Sequence, residues 1–203
     1  MPWESLLYLL ALLCAGVITP GPNNITCTVH AVVYGKKSNI PLIAGMALGF
    51  VTIHFICGLA VDYFEEDSPV GVAMNIAGSI FMFLIAFGIL FLGRSEKIHH
   101  FPDVVPKIGF KTGFAMQFVN GKEWAMVFMI MSIFLSDFGG GFVGIATITS
   151  ITTSGGVAAM FVWSHLGEKI KSKTDEPRFV KNAFTVLGSL LFILAVLISA
   201  GVL

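Results

Sequence analysis

A long apolar segment near the N-terminus is interrupted by the sequence Ile18-Thr19-Pro20-Gly21-Pro22-Asn23-Asn24. Proline lacks a backbone N–H, and its ring clashes with the carbonyl four residues earlier, so closely spaced prolines end a helix. The backbone groups that such a break releases are tolerated at membrane depth only where protein or water satisfies them. The sequence therefore predicts a polar cavity or a packed interface at this point in the membrane.

The composition is typical of an integral membrane protein. The 203 residues are 56% hydrophobic and 12% charged, and the mean hydropathy is +0.87, whereas soluble domains carry about 25% charged residues. We expect one transmembrane domain over residues 1–203, membrane lipid around it and no nucleic-acid partner, because no basic patch is present. Residues Met1–Glu4 contain no basic side chain, so the first apolar segment is expected to stay in the mature protein.

Six segments are apolar and long enough to span a bilayer, which takes about 20 residues. They are Ser5–Tyr34, Pro41–Val61, Val70–Leu92, Thr112–Leu135, Phe142–Leu166 and Ala183–Leu203. The first, third and fifth loops between them carry Lys or Arg, and the second and fourth carry none. Because basic loops stay in the cytoplasm, we predict a multi-pass plasma-membrane protein with both termini outside.

This charge pattern divides the chain into two halves, residues 1–93 and 112–203, each with three spans and opposite orientation. The first span of each half is the interrupted one, at Thr19–Asn24 and at Gln117–Glu123. Interruptions at matching places in two halves indicate the binding site of a transporter. The predicted fold is an all-α membrane protein of six transmembrane helices, built as two inverted three-helix repeats with broken first and fourth helices.

The first interruption has the groups that bind an amino acid. The half-helix after Pro22 begins with free N–H groups and a positive dipole end, which suit a carboxylate. The half-helix that ends near Ile18 presents carbonyls, which suit an ammonium. The side chains of Thr19, Asn23 and Asn24 add donors and acceptors. The alternative is a proline kink that only shapes helix packing.

The second interruption places Lys122 and Glu123 near the middle of a span. A charge at bilayer depth costs about 2.5–3.5 kcal/mol on insertion scales, so such residues usually face a cavity or a partner. Adjacent helix residues do not face each other, so the two are not expected to pair unless the backbone leaves the helix at Gly121. The alternative is a shifted span from which Lys122 reaches the water interface.

His54, near the middle of the second span, can gain or lose a proton near neutral pH and is a candidate for proton coupling. The alternative is a neutral histidine bonded to a neighbouring helix. The candidate substrate-binding residues are Thr19, Pro20, Gly21, Pro22, Asn23, Asn24, Gln117, Asn120 and Lys122, and the proton-coupling candidates are His54 and Glu123. No metal or cofactor is assigned. The small residues Gly45 and Gly49 and the hydroxyl-rich stretch Thr147–Gly156 are expected to serve helix packing.

The motif Thr19-Pro20-Gly21-Pro22-Asn23 resembles that of the LysE/RhtB family of amino-acid exporters, whose members are about this long and have six hydrophobic segments. A second family feature, a polar residue followed by Asn-Pro-Lys, is matched by Gln117 and Asn120-Gly121-Lys122, with glycine in place of the proline. The resemblance implies export of small amino acids or related metabolites, driven by the proton-motive force, by an oligomer such as a homodimer.

Other classes of protein fit the sequence less well. An enzyme is not expected, because the chain has no nucleophile motif and no His-Glu-x-x-His pattern that would supply catalytic groups at one depth. An exporter of metal or other cations and a non-transporting membrane scaffold are the alternatives that the sequence leaves open.

Overall fold

The computed structural model describes residues 3–18, 21–61, 80, 83–84, 86–91, 106–172 and 177–200. Seven α-helices are bounded within these ranges: α1 (Trp3–Ile18), α2 (Pro22–Tyr34), α3 (Asn39–Ala60), α4 (Phe110–Val119), α5 (Gly121–Phe134), α6 (Gly141–Lys171) and α7 (Pro177–Ser199). A 3-10 turn, Lys36–Ser38, leads into α3, and residues 86–91 are also helical. No residue of the described ranges lies in a strand, so the predicted all-α class is confirmed.

The predicted interruption of the first apolar segment is confirmed. Helix α1 ends at Ile18, and Gly21 has extended backbone angles, φ −136° and ψ 173°. Helix α2 then starts at Pro22, where proline is well placed because the first N–H of a helix has no intrahelical partner. Thr19 and Pro20 lie outside the described residues.

The fourth apolar segment is interrupted as well. Helix α4 ends at Val119, and Asn120 leaves the helical conformation with φ −86° and ψ 86°. Gly121 is already the first residue of α5. The break therefore lies at Asn120, one residue before the glycine that we expected to weaken the helix.

Two helical stretches are apolar and long enough to cross a membrane, Lys36–Ala60 and Gly141–Lys171. They contain most of the predicted second span and all of the predicted fifth. Two shorter apolar helical stretches, Trp3–Cys14 and Lys181–Ile193, overlap the predicted first and sixth spans. The predicted third span, Val70–Leu92, lies largely outside the described residues. The arrangement of six spans in two inverted repeats stays a prediction.

Glycines on α3 bring α4 into close contact. A Cβ atom on Gly45 would collide with the backbone carbonyl of Phe110, and one on Gly49 would lie 2.7 Å from the Gln117 side chain. Small residues allow helix backbones to approach in this way, so the packing role expected for Gly45 and Gly49 is confirmed. The close approach fixes the position of Gln117 beside α3.

A buried polar cluster fastens α2 to α3 and α6. Asn39 Nδ2 donates to Ser164 Oγ at 2.7 Å and to the Cys27 carbonyl at 2.6 Å, and Asn39 Oδ1 lies 2.6 Å from His30 Nδ1. The backbone N–H of Ile108 donates to His30 Nε2 at 3.3 Å. Because Nε2 accepts, the neutral ring carries its hydrogen on Nδ1 and donates it to Asn39. The cluster holds α2 next to the segment that leads into α4.

Apolar side chains of α1, α3, α5 and α6 form a buried cluster on the other side of the second break. Leu9, Ile53, Ile130 and Ile148 are fully buried members of it. Through this cluster, helix α5 packs against its neighbours from Val127 to Phe134.

Candidate functional site

The two helix interruptions meet through a pair of side-chain amides. Asn23, in the first turn of α2, donates from Nδ2 to Gln117 Oε1 at 2.9 Å, and Gln117 Nε2 donates to Asn23 Oδ1 at 3.0 Å. Asn23 is 9% exposed and Gln117 is fully buried. Because each amide both donates and accepts in this arrangement, the pair fixes α2 and α4 in one relative orientation.

Asn23 also contacts two residues at the second break. Its Nδ2 donates to Glu123 Oε1 at 3.1 Å, and its Oδ1 accepts from Asn120 Nδ2 at 3.4 Å. The amide has two donor hydrogens and two acceptor positions, and these contacts use all of them. The structure thus brings together Asn23, Gln117, Asn120 and Glu123, which the sequence placed at two separate interruptions.

Lys122 connects the second break to the end of α1. Its Nζ donates to the carbonyl of Gly16 at 3.2 Å, and a Cβ atom on Gly21 would lie 3.3 Å from the same Nζ. The last carbonyls of a helix have no intrahelical partner and lie at the negative end of the helix dipole, so an ammonium is stabilised there. Lys122 and Glu123 thus bind different partners, as expected for adjacent residues of a helix.

Two helix N-termini adjoin the same space. Helix α2 follows Gly21 and helix α5 follows Asn120, and no side chain among the described residues caps either first turn. The N-terminal end of a helix carries a partial positive charge that attracts anions. Glu123 lies in the first turn of α5, where this charge stabilises a carboxylate.

A cavity of about 40 Å³ opens between these groups. Both breaks contribute to its wall, through Gly21, Asn23, Asn24, Lys122 and Glu123. Its remaining wall belongs to α1, α3, α5 and α6 and is mainly apolar. A single water needs roughly 10–15 Å³, and sites for small molecules usually measure about 300 Å³ or more. The cavity in this conformation therefore suits a few waters and is smaller than an amino acid requires.

Two buried polar atoms on the cavity wall make no hydrogen bond within the part of the chain that the structure describes. They are Glu123 Oε2 and the hydroxyl of Thr153. The side-chain oxygen of Asn120, in the same helix break as Glu123, is in the same situation. A buried polar group without a partner costs about 1–3 kcal/mol, so a polar ligand that reached these atoms would be stabilised.

His54 lies behind the cavity wall, fully buried on α3. Its Nδ1 is 2.9 Å from the Phe50 carbonyl and its Nε2 is 2.7 Å from the Thr152 hydroxyl, and both partners line the cavity. A carbonyl only accepts, so Nδ1 carries the hydrogen and the neutral ring accepts from Thr152. The same hydroxyl lies 2.8 Å from the Ile148 carbonyl, to which it can donate when His54 is protonated. The contacts fit both charge states, and a coupling role stays a prediction.

The other candidates at the first break have different positions. Gly21 and Asn24 are buried and line the cavity, and Pro22 is buried as the first residue of α2. Thr19 and Pro20 are outside the described residues, so their place relative to the cavity is still a prediction.

Thr153 and Gly16 are two residues of the site that the sequence analysis missed. Thr153 belongs to the hydroxyl-rich stretch Thr147–Gly156, whose composition predicts a packing surface. The signal was the number of hydroxyl side chains in one apolar helix. Gly16 contributes a backbone carbonyl, for which the sequence holds no side-chain signal.

Comparison with known proteins relates the chain to efflux proteins. The "Cysteine/O-acetylserine efflux protein" of Salmonella paratyphi A is 32% identical over 107 residues, which is 52% of each chain. The proteins of the same name from Klebsiella pneumoniae and from Escherichia coli O1:K1 are 31% and 30% identical over 106 residues, again 52% of each chain. The chain spans about half the length of the curated relatives it matches. No family model and no solved structure matches it.

These relatives confirm the resemblance to amino-acid exporters that the Thr19–Asn23 motif indicated. They are named as efflux proteins and not as enzymes, and the apolar helices agree with a membrane protein.

Proposed function

We propose that this chain is a secondary-active exporter of amino acids or closely related small metabolites. Its similarity to proteins named for cysteine and O-acetylserine efflux supports this proposal. It moves its cargo from the cytoplasm across the plasma membrane and uses the proton-motive force. In this proposal the basic loops face the cytoplasm and both termini lie outside.

The observation that carries the proposal is the meeting of two interrupted helices at one cavity, where polar and charged side chains lie on an otherwise apolar wall. The reciprocal amide pair of Asn23 and Gln117 joins the two breaks, and Lys122 and Glu123 lie beside it. Irregular backbone and opposite charges are costly in a membrane protein, and transporters accept that cost where a polar solute binds. A packing role alone would account for the glycines but not for the charges.

The charges favour a zwitterionic cargo with an uncharged side chain. The carboxylate of an amino acid would lie at the N-terminus of α2, close to Asn23 and Asn24. Its ammonium would take Glu123 Oε2, which has no partner within the described chain. The rest of the wall is mostly apolar and includes Leu13, Met126 and Val157, so a small neutral side chain would fit better than a charged one.

Cargo entry requires the helices around the cavity to separate, because about 40 Å³ does not admit an amino acid. The interruptions at Gly21 and Asn120 supply places where the half-helices can pivot without stretching a continuous ladder of hydrogen bonds. We propose that α2 and α5 move relative to α3 and α6, so that the site opens to each side of the membrane in turn. Glu123 or His54 would carry the coupling proton.

Efflux from proteoliposomes tests this proposal. Liposomes containing the purified protein are loaded with radiolabelled L-cysteine, O-acetyl-L-serine or other neutral, acidic and basic amino acids. Release is followed with and without an imposed pH gradient. We expect protein-dependent release of small neutral amino acids that the gradient accelerates.

Asn23→Ala is expected to abolish this release, and Asn182→Ala serves as its matched control because Asn182 is exposed on α7, away from the cavity. The absence of protein-dependent release for every solute would reject the exporter. Release by Asn23→Ala at the wild-type rate would reject the site.

A further inference from the structure

Lys122 holds the position that the sequence analysis assigned to the ammonium of the cargo. The carbonyls at the end of α1 were expected to bind a positive charge that arrives with the solute. In the structure the Gly16 carbonyl accepts a hydrogen bond from Lys122 Nζ at 3.2 Å. A primary ammonium on a flexible side chain has the same charge and donor groups as the ammonium of an amino acid.

Glu123, the next residue along the chain, has the buried carboxylate whose negative charge an ammonium at this position can compensate. Glu123 accepts one hydrogen bond, from Asn23, and its Oε2 has no partner among the described residues. Lys122 is the one other charged side chain that lines the cavity in the described part of the chain. A carboxylate at membrane depth is costly unless a positive charge compensates it.

From this geometry we infer that Lys122 is a tethered substitute for the cargo ammonium, which stabilises the empty site while the carrier returns to accept its next cargo. The inference rests on the proposed export function and adds a specific step to it. When cargo binds, its own ammonium compensates Glu123. When cargo leaves, Lys122 compensates Glu123, which stays ionised and leaves the coupling proton to His54, and the empty carrier can change its orientation.

The inference separates two modes of transport. Net efflux requires the carrier to return empty in every cycle, whereas exchange of external for internal cargo lets it return loaded. Without the Lys122 charge, the empty site contains an uncompensated carboxylate and the loaded site does not. Loss of this charge must therefore slow net efflux much more than exchange.

The experiment compares both modes in proteoliposomes with radiolabelled L-cysteine kept reduced. Net efflux is measured into buffer without cysteine, and exchange is measured with unlabelled cysteine outside. For Lys122→Met we expect the ratio of exchange to net efflux to rise at least tenfold. Lys122→Arg restores the charge and is expected to bring the ratio back toward that of the wild type. Lys111→Met, on an exposed part of α4, is the matched control.

Each other outcome has a defined meaning. If Lys122→Met slows net efflux and exchange by the same factor, or does not slow net efflux at all, the inference is overturned. If Lys122→Met does not give a single gel-filtration peak, Lys122→Gln replaces it, since it keeps a donor but no charge. If neither uncharged variant folds and Lys122→Arg does, Lys122 is a structural cap and the inference is wrong. No cysteine movement in either mode by the wild-type protein would instead reject the proposed function.

Discussion

Replacement of Asn23 by alanine is the perturbation whose effect follows most directly from the structure. The side chain makes four hydrogen bonds, two with Gln117, one with Glu123 and one with Asn120. Its removal takes the described partners from Gln117 Oε1, Glu123 Oε1 and Asn120 Nδ2, whereas Gln117 Nε2 keeps a bond to the Gly113 carbonyl at 3.3 Å.

The size of the effect follows from these contacts. Interhelical hydrogen bonds in a membrane protein average about 0.6 kcal/mol, so the loss of all four should lower the free energy of unfolding by at least about 2 kcal/mol. A buried polar group left without a partner costs about 1–3 kcal/mol. If the two oxygens stay without water while water reaches the Asn120 amide, the loss reaches about 4 kcal/mol. We therefore expect Asn23→Ala to lower the free energy of unfolding by about 2–4 kcal/mol.

The assay is reversible unfolding of the purified protein in mixed micelles, followed by circular dichroism as the denaturing detergent increases. A double-mutant cycle with Gln117→Ala isolates the amide pair, and we expect a coupling energy of about 1–2 kcal/mol. Asn182→Ala removes an exposed amide of the same size and is expected to change the stability by less than about 0.5 kcal/mol.

Additive effects of the two alanine substitutions, within about 0.5 kcal/mol, would refute the reasoning. Asn23 and Gln117 would then not contact each other in the folded protein, and the two helix interruptions would not be joined by this pair.

Two further predictions concern single residues. Thr153→Val is expected to leave the free energy of unfolding unchanged or raise it by up to about 1 kcal/mol, because the hydroxyl has no partner in the described chain. The same variant should bind cysteine about two- to tenfold more weakly, and a fall in stability with unchanged binding would show that the hydroxyl serves packing. Gly45→Ala places a methyl group against the Phe110 carbonyl and should lower the free energy of unfolding by about 1–3 kcal/mol. Gly88→Ala, whose added Cβ would meet no atom of the described residues within 4 Å, should not lower it, and equal melting temperatures for the two variants would contradict the close contact of α3 and α4.

The helix interruptions could be predicted because their causes are local. Proline is tolerated in the first turn of a helix but not in its interior, so Pro22 favours a new helix start, and α2 begins there. The second break was located less accurately, since Gly121 tolerates a helix and the backbone leaves it at Asn120. The glycine only weakens a helix, and long-range packing decides where the chain bends.

The contacts within the site depend on how each helix is rotated, which a single sequence does not encode locally. Asn23 and Gln117 are 94 positions apart, and nothing near either residue specifies the partner. The hydroxyls of α6 illustrate the same point. Ser150 and Ser154 donate to the carbonyl four residues earlier, whereas Thr153 has no such bond among the described residues and lines the cavity. These side chains look alike in the sequence and differ only by the face on which they lie.

Equilibrium binding of radiolabelled L-cysteine to the purified protein tests the central claim, that Glu123 and the two helix interruptions form a binding site. The measurement compares Glu123→Gln with Glu168→Gln, since Glu168 forms a partly exposed ion pair with Lys36 at 2.7 Å and does not line the cavity. A hydrogen bond to a charged group is worth about 1.5–3 kcal/mol, so Glu123→Gln should weaken binding at least about tenfold while Glu168→Gln binds as the wild type does. Wild-type affinity in Glu123→Gln would contradict the account.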